Sequence, residues 1–332
     1  MMKKRAKNKN IYFVLFSVLL VSLFIVSLSI GPVTISFKDT YAHFFGQYNP
    51  VIQLRLMRAL MAVITACGLA AAGVILQCLL RNPLADPYVL GISAGSATGA
   101  VMAIISGLNM YIFILPVPMF FAFIGAMVSI FVVYRLAVFR GSLSVQNLVL
   151  AGIAINALLS SLLLFTIYAS RTEAVHGIVW WLLGSFQLFE TKVLIFSGSV
   201  VFICLLAAVP FLKELNVISL GEDMATYIGV NVEFLKTYFF IISGILTAAV
   251  VSSVGMIGFV GLVIPHIARR LFGPDTRYLF GFSILIGAIF LILSDIFCRL
   301  IFAPAELPVG VITSLVGAPF FIFVLIKTRN EQ

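Results

Sequence analysis

The sequence predicts an all-α protein, a polytopic bundle of about ten membrane-spanning helices in one domain. Three observations predict it. Hydrophobic residues make up 62% of the chain and charged residues only 10%, against about 25% charged in an ordinary soluble domain. Mean hydropathy is +1.18. Apolar runs of bilayer-crossing length follow one another along the chain. No stretch between them is long enough to fold separately, so residues 1–332 read as a single transmembrane domain.

The first run, residues 11–30, is uncharged and follows Lys3, Lys4, Arg5, Lys7 and Lys9. At 1.5 Å per residue it matches a hydrocarbon core of about 30 Å. A signal peptide would have a shorter apolar core and a small-residue cleavage site, whereas this run ends in Gly31-Pro32 and reads as a retained helix. Spans are expected near residues 11–31, 58–80, 88–107, 111–135, 145–168, 192–212, 234–254, 256–272, 279–300 and 309–326.

An even count returns both termini to one side. With the termini cytoplasmic, Lys38, Arg55, Arg58, Arg171, Lys192 and Arg299 fall outside. The other fifteen of the 21 Lys and Arg, among them Arg81, Arg135, Arg140, Lys213, Lys236, Arg269, Arg270, Arg277, Lys327 and Arg329, fall inside, as the positive-inside rule requires. The net charge of +9 is thus distributed by topology and implies no nucleic-acid partner; lipid is the surrounding phase.

The second and third spans are joined by Arg81-Asn82-Pro83-Leu84-Ala85-Asp86-Pro87, a proline-punctuated cytoplasmic turn. The third then carries Gly91, Gly95 and Gly99 with Ser and Ala between them, a small-residue face that lets helix backbones approach closely. Gly255, Gly258 and Gly261 point to the same packing at a spacing of three. Gly91-Ile92-Ser93-Ala94-Gly95 also matches the G-x-S-x-G nucleophile pattern. That pattern requires a strand–turn–helix elbow, and here it opens an apolar helix. His43 and His176 map outside, and His266 maps near the inner face, where it alone approaches the inner end of the third span; an intramembrane serine protease stays as a remote alternative.

Cys67, Cys78, Cys204 and Cys298 sit in or beside apolar spans without metal spacing and read as small packing residues. Asp295 and Arg299, four residues apart near the outer end of the ninth span, are positioned for an ion pair on one helix face. A mid-membrane carboxylate marks many ion-coupled carriers. No second candidate is found, which weighs against the rival reading of a secondary carrier or stand-alone channel. With no G-x-x-x-x-G-K-[ST] loop, the chain is read as non-catalytic.

Residues 215–230 form a cytoplasmic segment with a different character. Glu222 and Asp223 favour the positive end of a short helix starting after Gly221, and Met224, Ala225, Tyr227 and Ile228 give it an apolar face. The acidic start opposes adsorption to anionic lipid, so the helix is expected to dock on a protein partner.

In order along the chain, several motifs then resemble the permeases of the iron-chelate and cobalamin ABC importer family. They are Arg55-Leu56-Met57-Arg58, Arg81 to Pro87 followed by Leu90-Gly91, and Leu148-Val149-Leu150-Ala151-Gly152. Trp180-Trp181-Leu182-Leu183-Gly184-Ser185, Leu220-Gly221-Glu222, Gly258-Phe259-Val260-Gly261-Leu262 and Pro265-His266-Ile267-Ala268-Arg269 follow. Glu306-Leu307-Pro308-Val309-Gly310 and Gly317-Ala318-Pro319 complete the series.

The resemblance implies the type II ABC importer permease fold in the bacterial cytoplasmic membrane. It implies a second permease subunit, identical or paralogous, a cytoplasmic ABC ATPase dimer that holds ATP and Mg, and an extracytoplasmic substrate-binding protein. No cofactor is implied in this chain. The cargo implied is a metal chelate: ferric siderophore first, then haem, then cobalamin, moved by alternating access. By position, Arg55, Arg58 and Arg299 would receive acidic side chains of the binding protein. Leu220, Gly221, Glu222, Asp223, Met224 and Tyr227 would engage the ATPase. Ser144, Val145, Gln146 and Asn147 would form the cytoplasmic gate.

Overall fold

In lipid a backbone has no water to bond, so each crossing segment must satisfy its own amides and carbonyls, and this chain does so with helices. The computed structural model describes residues 2–108, 110–139, 141–170, 172–187 and 190–330. Arg140 and Arg171 lie outside the described residues, as do the side chains of Lys3, Lys4, Arg5, Lys7, Lys327 and Arg329.

The elements in order are α1 (Met2–Ser29), α2 (Phe37–Phe44), α3 (Pro50–Leu79), a 3-10 turn (Pro87–Leu90) and α4 (Ile92–Ile105). A two-residue hairpin of β1 (Tyr111–Ile112) and β2 (Leu115–Pro116) leads into α5 (Val117–Ala137). A second hairpin, β3 (Val138–Phe139) and β4 (Ser142–Leu143), leads into α6 (Val145–Tyr168). Then come α7 (Thr172–Leu183), α8 (Thr191–Ala208), α9 (Leu212–Ile218), α10 (Glu222–Tyr227), α11 (Val232–Val254), α12 (Val260–Phe272), α13 (Thr276–Leu300) and α14 (Val309–Asn330).

Among the described residues, seven segments are long and apolar enough to cross a membrane, and shorter apolar helices lie at Ile92–Ile105, Ala174–Leu183 and Val309–Val324; α12, at the predicted eighth span, is not among them. Several boundaries differ from the sequence reading: the fourth span, expected from 111, starts at Val117 after the hairpin, and two further shifts bear on the charged and glycine-rich segments. The second span starts at Pro50, not near 58, because Asn49 caps it by accepting from Val51 and Ile52 N–H and Pro50 occupies the first turn. This draws Arg55 and Arg58 into the helix. The eighth span starts at Val260, because Gly255 (φ 75°) and Phe259 (φ 67°) take the backbone out of helix between them. Gly255 and Gly258 therefore lie in a non-helical link, and the expected glycine face of that span is reduced to Gly261. The helix α7 had no predicted span.

Helix α3 occupies the centre, with 78% of its apolar window buried, whereas the windows of α1 and α6 are 11% buried and form the periphery. The expected small-residue packing of the third span is present. A Cβ on Gly99 would lie 2.1 Å from the Phe121 carbonyl oxygen, and one on Gly95 would lie 2.5 Å from that of Gly125. Helices α4 and α5 thus meet backbone to backbone. The link 255–259 is satisfied from outside itself, since Tyr88 Oη donates to the Ile257 carbonyl (3.0 Å) and accepts from the Ile257 N–H (3.1 Å).

Candidate functional site

Helix α3 separates two charge clusters. Arg55 and Arg58 lie near its start and Arg81 just beyond its end, so the clusters are about 30–40 Å apart at 1.5 Å per residue.

At the Arg58 end, a buried network joins four parts of the chain. Arg58 Nη2 meets Asp295 Oδ1 at 2.7 Å and its Nη1 meets Glu306 Oε2 at 2.5 Å. Arg299 Nε pairs with Asp295 Oδ2 at 3.1 Å, the i,i+4 pair expected from the sequence. Gln187 Nε2 donates to Glu306 (2.9 Å), tying residues 184–187 to the α13–α14 loop. Burial alone would raise the Glu306 carboxyl, but the Arg58 guanidinium holds it below the usual carboxylate range.

The expectation of three outward-facing arginines is corrected by burial. Arg55 is 5% exposed and Arg299 2%. Both spend their guanidinium groups on the carboxyl end of α1. Arg55 donates to the Leu28, Ser29 and Val33 carbonyls, and Arg299 to those of Ser27 and Ile30. The last carbonyls of a helix have no partner within it and carry partial negative charge, so two cations from α3 and α13 are a physically apt cap. Of the three, Arg58 retains the most accessible side chain, 12% exposed.

At the Arg81 end, the short helix foreseen after Gly221 is α10. Gly221 (φ 151°) turns the chain into it, and Glu222 and Asp223 occupy its first turn. Leu220, Met224, Tyr227 and Ile228 are exposed while Ala225 faces the core. The apolar face is therefore outward and uncovered within this chain. Glu222 turns inward to Lys236 Nζ (3.0 Å) and lies 3.4 Å from Arg81.

Ser144 caps α6 by accepting from the Asn147 N–H (3.3 Å). Ser144, Val145 and Gln146 line a cavity of about 690 Å³ with Arg81, Leu143, Glu222, Glu233 and Lys236. The structure thus brings three of the four expected gate residues and Glu222 to one cavity, while Asn147 is not part of its lining. Ser93 donates to the Tyr88 carbonyl at 3.5 Å and lines a separate cavity of about 530 Å³ with Met256, Gly310 and Ser314.

Sequence reasoning missed Lys236, Glu233, Glu306 and Gln187. A lysine inside the first turns of an apolar span, three residues after a glutamate, is the signal that was available for the first two. Glu306 and Gln187 sit in loops, where nothing in the spacing declares which helix end they reach.

This architecture has close counterparts. The model of the FecCD transport family matches residues 19–327. The chain is 37% identical to the uncharacterized ABC transporter permease protein YvrB of Bacillus subtilis (strain 168), over 96% of this chain and 94% of that one. It is 35% identical to the hemin transport system permease protein HmuU of Yersinia pestis, over 95% of each. A solved structure described as an inward-facing conformation of a metal-chelate type ABC transporter superposes with a TM-score of 0.85 at 31% identity, covering 96% of this chain and 99% of that chain. With a family model spanning nearly the whole length and relatives matched end to end, the chain belongs to the FecCD transport family and is a multi-pass ABC transporter permease.

Proposed function

We propose that the chain is one permease subunit of an ATP-driven importer that passes an iron chelate, a ferric siderophore in the first reading, from an extracytoplasmic binding protein to the cytoplasm. The observation that carries this is α10. Exposed apolar side chains at Leu220, Met224, Tyr227 and Ile228 crown a helix whose acidic first turn is tied into the bundle through Glu222. Such a face, at a bundle end rich in cations, suits a cytoplasmic ATPase that holds ATP and Mg, and both chain termini belong to that side in this reading.

The opposite end is where a binding protein delivers cargo. Arg58 is the arginine that an incoming carboxylate reaches first, and Arg55 and Arg299 support it by holding α1. Arg–carboxylate pairs give orientation through two parallel bonds, while an exposed pair contributes only about 0–1 kcal/mol, so docking here sets register more than affinity. The thinly buried face of α6 lines the pathway shared with a second permease subunit. ATP-driven closure of the ATPase dimer moves α10, and the two permeases tilt between outward and inward openings. Haem is the second cargo reading, favoured by the hemin permease among the relatives.

Co-expression with a P-loop ATPase and a binding protein from neighbouring reading frames tests the assignment. A complex containing all three, and ATP-dependent uptake into proteoliposomes of whichever chelate the binding protein retains, is the expected result. Chelate movement by the purified chain alone, without ATPase, would make it a channel or carrier instead.

A further inference from the structure

Lys236 is 4% exposed and stands in the second turn of α11, in a helix otherwise apolar enough to cross a membrane. Its ammonium has three donors, and three acceptors surround it. These are the Leu143 carbonyl at 2.8 Å, Glu222 Oε2 at 3.0 Å and Glu233 Oε1 at 2.6 Å. The acceptors belong to three different elements. Glu222 opens α10, Glu233 lies in the first turn of α11, and Leu143 is the last residue of β4, immediately before the cap of α6. Glu233 Oε2 also accepts the Leu143 N–H at 2.8 Å. Both backbone groups of Leu143 are therefore held by the Lys236–Glu233 pair.

Burying an ammonium is expensive, and an apolar residue of the same length would serve packing alone at least as well. Charge-assisted bonds are short and directional; three of them around one nitrogen make a stiff joint where an apolar contact would slide. We propose that Lys236 is the positioning residue that transmits displacement of α10 to the start of α6, so that residues 144–147 follow the coupling helix. Movement of α10 draws Glu222; Lys236 follows; Leu143, bonded to Lys236 and to Glu233, carries the hairpin and the first turn of α6. The path runs through side chains and needs no motion of the α11 backbone. It rests on the reading that α10 docks a partner ATPase.

The test uses the full complex of permease, ATPase and binding protein in proteoliposomes, with Ser144→Cys as reporter. Of the four native cysteines, three are buried and the fourth, Cys67, is half-buried as Ser144 is, so the reporter is labelled in a Cys67→Ser background. In the Lys236-containing protein, the rate of thiol labelling should change at least about fivefold on adding ATP, the lower end of typical coupling between sites. In Lys236→Met the complex should assemble and hydrolyse ATP, while the labelling change falls below about twofold and transport per ATP drops by at least about fivefold, the same lower end of coupling between sites. Lys236→Arg, which keeps donors at the joint, should restore part of the response.

A full response in assembled Lys236→Met overturns the proposal. Should that variant fail to assemble, Glu233→Ala decides, because this side chain is 46% exposed and its loss removes both the acceptor of the Leu143 N–H and one acceptor of Lys236; an undiminished response there overturns the proposal equally. An ATP-independent label rate in the parent complex would refute the link at its gate end. Absence of any ATPase bound to the parent permease would instead refute the importer reading beneath it.

Discussion

Arg299 on α13 caps the carboxyl end of α1 by donating to the Ser27 carbonyl through both Nη1 and Nη2 at 3.1 Å. Its Nε faces Asp295, so one guanidinium joins an ion pair to a helix terminus. The otherwise peripheral first helix is thereby fastened to the central bundle at its most buried turn, Ser27–Ser29.

Replacing Arg299 by Met should therefore destabilise the permease by about 3 kcal/mol, at the low end of the cost of breaking a buried pair, because Asp295 keeps Arg58 as a partner. Thermal unfolding in detergent would measure it. By contrast, Arg81→Ala should change stability by less than about 1 kcal/mol, since the 3.4 Å contact to Glu222 is exposed and solvent-screened.

Glu306 should make the Arg58 cluster acid-sensitive. Its carboxyl is held below the ordinary range by Arg58, so its contribution is fully present above the unfolded carboxylate value of about 4.3 and is lost as pH falls through the lower folded value. Unfolding temperatures recorded from pH 7 down to pH 3.5 should fall more steeply for the parent than for Glu306→Gln. Parallel curves would show that the Arg58–Glu306 bond does not respond to protonation.

Close backbone contact makes Gly99 intolerant of a methyl group. Gly99→Ala places Cβ against the Phe121 carbonyl oxygen, which has no flexible side chain to give way, and should cost about 1–3 kcal/mol by overpacking. Gly177→Ala meets only an Ile104 methyl at 3.9 Å and should be neutral or slightly stabilising. Denaturant titration of the pair separates packing from helix propensity.

Tyr88→Phe should leave both backbone groups of Ile257 without the phenolic partner that now serves them. An unsatisfied buried polar group costs about 1–3 kcal/mol, and the loss should appear both in stability and as faster amide exchange across residues 255–259. Unchanged exchange there would mean that another group takes over the bonds.

Much of the architecture was legible because apolar length and cation bias act locally. The long spans, the 81–87 turn, the α10 start after Gly221 and the Asp295–Arg299 pair all rest on spacing within a few residues of chain. The α4 glycines were legible as packing for the same reason, since a four-residue period defines one helix face. What failed lay just outside the apolar runs or far along the chain. The helical extension of α3 back to Pro50 depends on an asparagine cap upstream of the apolar run, and the break at 255–259 depends on Tyr88, more than 160 residues away, to satisfy it.

Composition and pattern by themselves determined that this chain lives in lipid and where its long crossing helices run, because the bilayer forces each crossing segment to satisfy its backbone alone. Only the tertiary structure decided what the charges do. Arg55 and Arg299 face the α1 terminus, and Lys236 gathers Leu143, Glu222 and Glu233 around one nitrogen. A charge in a low-dielectric interior must find its partner wherever the fold brings one, and that partner is set by helix packing, not by distance along the chain.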